Sequence, residues 1–441
     1  MTPTLRHQYC WGLFWLRLTY TLSRYLLLRN SRALTVDSQT SSPILPTNAS
    51  RESTGEFAKT GCAVRVVKDL SEWLKFEAAW KALWSASPTA SPPLRFEWLS
   101  TWWRVYGPKY GAGENALRIL IVQRGPDVIG ALPLYAAHPA SIPFAPRPLR
   151  FLSTGESGEE ETCAAYLDLL HMPGEEKACV SALERAMIGR QISDWERLEL
   201  AYMPSTSPIA GLLSDSAHDR QWVPERQAPC CIADLSGGFE EYLGRLSPNS
   251  RAQARRLLRA VDAAKLSFEV ATEATVDEFY DQLVLLHQAR WAQAGQPGCF
   301  ASPRFSEFHR SLAHQLVRTH DAVIARLMHE GRPLAVIQGY KAANKFDYYL
   351  AGTALDSQNT PIKSPGIAAH LRLKSFLLDH GVTRYDYLLG YARNKAQYTT
   401  DEHQISRLIV ERKGLKRLAH QLSHIGLRGA RAIKRMARGQ A

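Results

Sequence analysis

The segment from Phe346 to Gly390 reads FDYYLAGTALDSQNTPIKSPGIAAHLRLKSFLLDHGVTRYDYLLG. It predicts an aromatic strand at its start and a second one, RYDYLLG, at its end. The helix between them begins at Ser364-Pro365-Gly366 and ends at Gly381, which takes the left-handed conformation of a C-cap. A helix between two strands predicts a crossover that packs on one face of a sheet.

The start of this helix raises a question of function. Its first backbone N–H groups have no partner within the helix and carry the positive end of the dipole, which favours phosphate. Gly366 adds no side chain that would keep a ligand away. An ordinary capped helix start, with no ligand, is the alternative interpretation of the same residues.

A pattern of helix, helix and hairpin occurs twice along the chain. The first copy has two Trp-rich helices and a hairpin that turns at Gly125-Pro126-Asp127. In the second copy, Thr275 and Glu278 predict a capping box at the first helix, and the hairpin turns at Glu330-Gly331. The repeat predicts an α+β fold of two tandem modules, each a mixed or antiparallel sheet flanked by helices.

Composition divides the chain into four segments. We expect a leader and disordered linker at 1–61, one module at 62–234, a second at 235–411, and a basic amphipathic tail at 412–441. Residues 9–28 are apolar, but two arginines inside them argue against a membrane span, which leaves an interfacial helix or a non-folded leader. The connecting helix after residue 246 has Ser247 as its predicted cap and Pro248 at its first position.

The charge balance favours anionic partners. Lys and Arg number 54 against 42 Asp and Glu, for a formal charge of +12. The basic tail predicts contact with an anionic membrane surface, with a solvated tail as the alternative. No recognisable nucleic-acid-binding module occurs, so we expect no nucleic acid. Seven cysteines without CxxC spacing argue against a zinc site, so we expect no metal and a cytoplasmic protein, with contact at the inner membrane as a variant.

Several motifs occur in a specific order: LHQARW at 286–291, GYKAANKFDYYLAGTALD at 339–356, SPG at 364–366 and YDYLLG at 385–390. The first half adds FEWLSTWWRVYG, VIGALPLY and YLDLL. Over residues 62–411 this combination resembles the GNAT-like acetyltransferases of the cellulose-biosynthesis type, the CelD/BcsL family. The resemblance implies two GNAT-related modules, like those of the Fem peptidyltransferases, with an acyl-CoA bound in the second.

The resemblance also implies where the acyl-CoA lies. Its pantetheine follows the strand that contains Tyr349, and its pyrophosphate sits at the helix start, on Ser364, Gly366 and Ile367. Acetyl-CoA is the expected acyl donor.

Three residues are candidates for the proton transfers of acyl transfer. His287 has the near-neutral intrinsic pKa of a general base, and its alternative is a half-buried histidine packed on Trp291. Asp386 lies in an aromatic strand, where an ionised carboxylate needs a partner or a raised pKa, unless it faces solvent at a strand edge. Tyr398 is a candidate acid for the leaving thiolate, with core packing as its alternative.

Arg290, Trp291 and Lys395 are the candidate acceptor-binding residues. The alternatives are phosphate binding or a plain surface charge for Arg290, and solvent exposure for Lys395. The chain departs from the family pattern at Ala392, where a Glu is expected, and at Asn394, where a Tyr is usual. A mechanism that relies on that glutamate is therefore in doubt.

The predicted function is transfer of an acetyl group to an amine or hydroxyl of a small-molecule or saccharide acceptor, in exopolysaccharide or cellulose biosynthesis. Two alternatives remain open. One is a Fem-like transferase that uses aminoacyl-tRNA. The other is a catalytically silent membrane-surface component of a polysaccharide machine, favoured by Ala392 and by the basic tail.

Overall fold

The computed structural model describes residues 61–189, 191–214, 218–224, 229–355, 360–390 and 393–414. The predicted leader up to residue 60 and the predicted tail beyond residue 414 lie outside these residues. Strands and helices are numbered below in chain order.

The strands of the described residues are β1 (Cys62–Val67), β2 (Leu117–Arg124), β3 (Asp127–Ala136), β4 (Pro148–Phe151), β5 (Leu170–His171), β6 (Arg197–Pro204), β7 (His218–Pro224), β8 (Cys230–Asp234), β9 (Ser267–Val270), β10 (Ala322–His329), β11 (Arg332–Ala342), β12 (Lys345–Thr353), β13 (Arg384–Asp386), β14 (Asp401–His403) and β15 (Ile405–Arg412).

The α-helices of the described residues are α1 (Leu70–Leu74), α2 (Glu77–Ala86), α3 (Phe96–Tyr110), α4 (Glu176–Ile188), α5 (Phe239–Arg245), α6 (Pro248–Ala263), α7 (Val276–Gln293), α8 (Pro303–Val317), α9 (Pro365–Asp379) and α10 (Arg393–Ala396).

The strands form two mixed sheets. The first sheet has the order β1-β2-β3-β4-β6-β15-β7, with β5 paired to β3, and the second has the order β14-β8-β13-β12-β11-β10-β9. Both predicted hairpins are confirmed, since β2 pairs with β3 and β10 with β11 in antiparallel register. The predicted crossover is confirmed too, because β12 and β13 run parallel and α9 connects them.

The helix ends follow the expected chemistry with one exception. Gly381 has a φ of 78°, and the Schellman pattern is complete, with the Val382 N–H on Leu377 O at 3.0 Å. Ser247 accepts from the Ser250 N–H at 3.2 Å, as predicted for the cap of α6.

The predicted capping box at α7 is wrong. Thr275 stands at the N-cap, but its Oγ1 accepts from the Thr272 N–H at 2.9 Å and caps no helical N–H. Glu278 pairs instead with Arg326 of β10 at 2.5 Å. The Arg326 guanidinium of the sheet therefore binds the Glu278 carboxylate, which a capping box would need at the helix start.

The two halves of the chain exchange strands. β8 precedes the predicted limit at residue 234 but pairs in the second sheet, whereas β15 follows it and lies between β6 and β7 of the first. The predicted modules at 62–234 and 235–411 are therefore continuous segments of the chain, whereas each sheet contains one strand from the other segment.

The halves also share a hydrophobic core. Trp98 of α3 contacts the rings of Phe308, Tyr340 and Tyr349 from the second half, at centroid distances of 5.3, 5.1 and 5.8 Å. Its indole N–H donates to Ser153 Oγ at 2.9 Å. One buried tryptophan therefore ties α3 to the second sheet.

The strand exchange predicts that β15 stabilises the first sheet. Leu408 is 1% exposed between β6 and β7, so Leu408→Ala is expected to lower the free energy of unfolding by about 2–5 kcal/mol. Leu285→Ala makes the same chemical change at a side chain that is 66% exposed and should stay within about 0.5 kcal/mol of the native protein. Urea unfolding checks both, and equal losses in the two variants would contradict the placement of β15.

Candidate active site

The candidate site forms where β12 and β13 separate. The two strands pair only from Lys345 to Asp347 on one side and from Arg384 to Asp386 on the other. Beyond this point β12 continues to Thr353, whereas the chain after Asp386 leaves the sheet. A gap therefore opens beside β12.

A bulge lies in β12 at the same point. Gln338 of β11 pairs with Leu350 and Gly339 pairs with Tyr348, so Tyr349 is the extra residue. Bulges bend a strand, increase its twist and are over-represented next to active sites.

A cavity of about 40 Å³ lies beside the gap, enough for a few water molecules. It is lined by Tyr348, Ile367, His370, Leu371, Lys374, Tyr387, Lys395 and Tyr398. The structure therefore brings together three of the residues singled out in the sequence, namely Ile367, Lys395 and Tyr398.

Tyr398 is the most informative of these residues. Its side chain is 2% exposed, and its hydroxyl has no hydrogen-bond partner among the described residues. Burial raises the pKa of this phenol to about 12, so it keeps its proton at neutral pH. A buried hydroxyl without a partner costs about 1–3 kcal/mol, which a ligand that accepts its hydrogen bond would offset.

Helix α9 contributes two basic groups that the sequence analysis missed, the buried Lys374 and the half-buried His370. Lys374 is fully buried, donates from Nζ to the Tyr387 hydroxyl at 2.5 Å, and lies 4.5 Å from the ring centroid of Tyr385. Burial lowers its pKa to about 7, while the tyrosine faces around it favour the charged form. His370, one turn earlier, contacts the Tyr385 hydroxyl at 2.6 Å, and burial lowers its pKa well below the ordinary value.

The start of α9 lies at the edge of this cavity. Pro365 is the first helical residue, Ser364 is the N-cap without a side-chain cap bond, and Ile367 lines the cavity. A Cβ on Gly366 would lie 3.1 Å from Thr353 Oγ1, so the glycine allows β12 and α9 to approach closely. The predicted helix start is confirmed, and phosphate binding by Ser364, Gly366 and Ile367 stays a prediction.

Tyr349 faces away from α9. Its hydroxyl donates to the carbonyl of Thr162 in the first half, and its ring contacts His309 at 4.6 Å. Tyr348, on the other side of β12, is the aromatic residue of this strand that lines the cavity. The cofactor role of Tyr349 stays a prediction.

His287 is packed and hydrogen-bonded at both ring nitrogens. Its Nδ1 contacts Gln288 Oε1 at 3.1 Å, and its Nε2 accepts from the Trp291 indole N–H at 2.9 Å. Burial lowers its pKa to about 4, so it is neutral at pH 7 with its basic nitrogen occupied. These contacts are those of the packed histidine that the sequence left open as the alternative.

His287 and Asp386 are not brought together. A Cβ on Gly352 would lie 2.8 Å from the His287 backbone nitrogen, whereas Asp386 pairs with Asp347. Positions 347 and 352 of β12 are about 16 Å apart at the usual rise per residue. Trp291 and the half-buried Arg290 follow His287 on α7, at the Gly352 end of β12 and far from Asp386. Their roles in acceptor binding stay predictions.

Asp386 is buried rather than exposed at a strand edge. It is 2% exposed, its Oδ2 accepts from the Tyr166 hydroxyl at 2.5 Å, and its Oδ1 accepts from the Leu388 N–H at 2.8 Å. Burial raises its pKa. Its neighbour Asp347 was missed, although an aspartate inside FDYYL is itself an unusual signal for a buried strand.

Lys395 is held beside the cavity by the chain that leaves β13. Its Nζ donates to the Tyr387 carbonyl at 2.8 Å and lies 5.6 Å from the Tyr348 ring centroid. Its acceptor role stays a prediction. Ala392, where a glutamate was expected, lies outside the described residues.

Within the described part of the chain, no group of three or more His, Cys, Asp or Glu side chains is arranged to hold a metal ion. None of the described helices combines the length and the apolar character that crossing a membrane requires.

Comparison with known proteins identifies the class of the second half. Residues 248–396 match the family described as Acetyltransferase (GNAT) domain. Curated proteins give no match to the chain. The chain therefore carries a GNAT-type acetyltransferase domain and is an acyltransferase, and enzymes of this class take the acyl group from an acyl-CoA.

Solved structures extend the likeness to both halves. The fold is similar to that of FemX, with a TM-score of 0.54 and 11% identity over 78% of this chain and 98% of the other. L-PGS from Bacillus licheniformis gives 0.46 and 12% over 82% and 98%. A tandem GNAT protein from the clavulanic acid biosynthesis pathway, solved without AcCoA, gives 0.37 and 16% over 80% and 99%. The predicted α+β fold of two GNAT-like modules is confirmed.

Burial of Lys374 predicts a pH-dependent stability. Its pKa falls from 10.5 to about 7 on folding, so its burial costs most below pH 7, and this cost disappears as the pH rises towards 10.5. At about 1.4 kcal/mol per pKa unit, burial of the charged ammonium costs on the order of 5 kcal/mol at pH 6. Contacts of the ammonium with the aromatic rings offset part of this cost. Lys374→Met should therefore raise the Tm strongly at pH 6 and much less at pH 10, as measured by calorimetry.

The exposed Lys75 provides the matched control, because Lys75→Met removes an ammonium that stays in water. Its Tm difference from the native protein should be small at both pH values. A Lys374→Met effect that does not change between pH 6 and pH 10 would contradict the lowered pKa.

Proposed function

We propose that the chain transfers an acetyl group from acetyl-CoA to an amine or hydroxyl of a small-molecule or saccharide acceptor. One observation carries the proposal: the buried hydroxyl of Tyr398 has no partner among the described residues, and Tyr398 lines the cavity next to the gap between β12 and β13. A site that holds an unpaired donor at this cost is suited to a ligand that brings an acceptor.

The gap also suits the shape of the donor. Pairing with β13 stops at Asp347, so the next residues of β12 turn their backbone groups towards the gap. An extended ligand with amide groups, such as pantetheine, binds such a strand edge through main-chain hydrogen bonds. The N-terminus of α9 at the edge of the cavity suits the pyrophosphate, on Ser364, Gly366 and Ile367.

Two groups of the cavity suit the charges that develop during transfer. Tyr398 keeps its proton at neutral pH and can donate to a carbonyl oxygen that becomes negative or to the leaving thiolate. Lys374, hydrogen-bonded to the Tyr387 hydroxyl, adds positive charge that is partly screened by aromatic rings. Both groups stabilise negative charge in a site from which water is largely excluded.

A role in exopolysaccharide or cellulose biosynthesis is supported only by the motifs quoted above and by the basic charge. We propose a cytoplasmic enzyme whose basic tail, at 412–441, contacts the anionic face of the inner membrane. Binding to anionic vesicles that is lost when the tail is deleted would support this contact, and binding that survives the deletion would argue against it.

A Fem-like aminoacyltransferase is the second candidate, favoured by the similarity to FemX across both halves. The donor separates the two candidates. Titration with acetyl-CoA and with aminoacyl-tRNA in parallel shows which one the site accepts.

The pyrophosphate site predicts a charge effect at Ser364. Its side chain makes no cap bond, so Ser364→Glu places an anion at the helix start without removing a structural contact. The positive end of the helix dipole stabilises the added carboxylate, but the carboxylate repels a pyrophosphate. Acetyl-CoA should therefore bind at least about tenfold more weakly, a loss of about 1.4 kcal/mol in binding free energy. Isothermal titration of the full chain measures this.

Ser364→Gln is the neutral control of nearly the same shape. It should retain most of the affinity and the native Tm, and Ser364→Glu should keep or slightly exceed that Tm because its charge interacts favourably with the helix dipole. Equal weakening by Glu and Gln would indicate a steric effect and would argue against a phosphate at this helix end.

The unpaired hydroxyl predicts opposite effects on stability and on catalysis. Tyr398→Phe removes a buried donor without a partner, so the protein should become more stable by about 1 kcal/mol. Loss of a donor that stabilises developing charge should lower kcat by about a hundredfold. Thermal unfolding and the release of free CoA thiol from acetyl-CoA measure the two effects. A variant with native activity would remove Tyr398 from the mechanism.

A further inference from the structure

We propose that the cavity beside the gap binds a carboxylate group of one of the two substrates, through the ammonium of Lys374 and the hydroxyls of Tyr387 and Tyr398. This inference rests on the proposed acyl transfer. It adds a chemical group that the substrate carries, either on the acyl chain or on the acceptor.

Lys374 places an ammonium in the protein interior with too few acceptors. Its side chain is 0% exposed, and its one hydrogen-bond acceptor among the described residues is the Tyr387 hydroxyl, at 2.5 Å. An ammonium has three donors, so the remaining ones are unused. Burial alone accounts for the lowered pKa of Lys374, so no carboxylate of the described residues acts on it. A buried charge without a counter-ion is unfavourable, and a bound anion would compensate it.

Tyrosine rings surround this ammonium and favour its charged form. The distances from the Lys374 Nζ to the ring centroids are 4.5 Å for Tyr385, 4.8 Å for Tyr387, 5.5 Å for Tyr242 and 5.9 Å for Tyr398. Ring faces attract a cation at such distances. They supply no negative charge, however, so the counter-ion has to come from a ligand.

Two hydroxyl groups add further donors to the cavity. Tyr398 is 2% exposed, and its hydroxyl has no partner among the described residues. Tyr387 is 3% exposed, its hydroxyl oxygen accepts from Lys374, and its own proton has no acceptor in the described part of the chain. Buried donors are normally paired. A carboxylate, which only accepts hydrogen bonds, would satisfy this surplus of donors.

The charged groups that line the cavity are basic. Among its lining residues are Lys374 and Lys395 but no Asp or Glu of the described residues. The Lys395 Nζ donates to a backbone carbonyl at 2.8 Å, which holds this second ammonium beside the cavity. Burial, together with the two lysines, lowers the pKa of His370 well below its ordinary value, so this ring is neutral. From α6, Arg256 acts on Tyr398 through space. The cavity is therefore positive and suits an anion.

The size of the cavity favours a carboxylate over a phosphate. Its volume of about 40 Å³ is enough for about three water-sized groups. A carboxylate has about that many non-hydrogen atoms, whereas a phosphate has more. The carboxylate is therefore the anion that fits without a change in the cavity.

The cavity follows one face of α9 away from the helix start. Its lining residues on this helix run from Ile367 to Lys374, a rise of about 10 Å along the axis. Lys374 thus lies at the end remote from the proposed pyrophosphate. In an extended acyl-CoA the thioester is also remote from the pyrophosphate, so Lys374 lies on the side where the acyl group and the acceptor meet.

Either substrate can supply the carboxylate. The CoA ester of a dicarboxylic acid, such as succinyl-CoA, carries it on the acyl group, and the transferred group is then a carboxylated acyl group in place of acetyl. An acidic saccharide, such as galacturonate, carries it on the acceptor. In both cases the carboxylate pairs with Lys374 and accepts from the two hydroxyls.

The first test uses acetate, a small carboxylate, with acetamide as its neutral counterpart of the same shape. In the full chain at pH 6, acetate should raise the Tm above that in sodium chloride of equal ionic strength, and acetamide should not. Lys374→Met should abolish this increment, whereas Lys75→Met, at an exposed lysine, should retain it. No increment in the native protein, or an equal increment in Lys374→Met, would overturn the carboxylate site.

Two matched pairs of ligands then identify the substrate that carries the carboxylate. They are succinyl-CoA with acetyl-CoA, and galacturonate with galactose, each measured by isothermal titration. The native protein should bind the carboxylated member of one pair at least about tenfold more tightly. Lys374→Met should abolish this preference. Tyr398→Phe should reduce it less, because this change removes one hydrogen bond and leaves the charge.

Carboxylate binding should be linked to protonation of Lys374. Burial lowers the pKa of this ammonium to about 7, and a bound carboxylate favours its charged form. The preferred carboxylate ligand should therefore bind more weakly as the pH rises from 7 to 9. Titration at pH 8 in buffers of different ionisation enthalpy should show proton uptake, which Lys374→Met should lack. An affinity that stays constant from pH 6 to pH 9 would contradict binding by Lys374.

The outcomes separate this inference from the proposed function. Failure of the native protein to bind either acyl-CoA would reject the proposed donor, and the acetate test would still decide the carboxylate site. Binding of acetyl-CoA with no preference for the carboxylated member of either pair would overturn the carboxylate site and leave acetyl transfer in place. A preference that survives Lys374→Met would overturn it as well.

Discussion

The short parallel pairing of β12 with β13 is the constraint on which the site depends. Three residues of each strand pair, and the pairing ends at Asp347 and Asp386. A longer pairing would seal the sheet and leave no gap beside Tyr348. Without this pairing α9 would not form a crossover, because the helix connects β12 to β13 and these two strands would no longer be neighbours in one sheet.

At the end of the β12–β13 pairing, the two faces of the second sheet carry different functional groups. On the α9 face lie the basic groups of His370 and Lys374 and the hydroxyl of Tyr398. On the other face lie the carboxyls of Asp347 and Asp386, covered by the first half through Tyr166. One strand therefore separates the basic groups and the Tyr398 hydroxyl from the two carboxyl groups.

Much of the fold could be predicted from the sequence because its signals are local. The hairpin turns, the Ser247 cap and the Gly381 terminus each depend on a few neighbouring residues, as does the crossover from β12 to β13. The exchange of β8 and β15 could not be predicted, because strand pairing across the chain depends on non-local contacts. Glu278 shows the same limit, since Arg326 of another strand overrides its local capping pattern.

Sequence motifs coincide with the cavity at three of its lining residues, Ile367, Lys395 and Tyr398, and the functional roles of these residues stay predictions. Sequence periodicity places Tyr348 and Tyr349 on opposite faces of a strand but does not tell which face meets the helix. His287 has the intrinsic pKa of a base, but burial lowers this pKa to about 4 and its Nε2 accepts from the Trp291 N–H, which only the packing reveals. Its catalytic role stays a prediction. Lys374 and Asp347 show the opposite case. Each is a charged residue inside an apolar helix face or an aromatic strand, each is buried, and burial of a charge is unfavourable unless the charge is paired. Burial of these two residues, on opposite sides of β12, therefore reduces the stability of the fold.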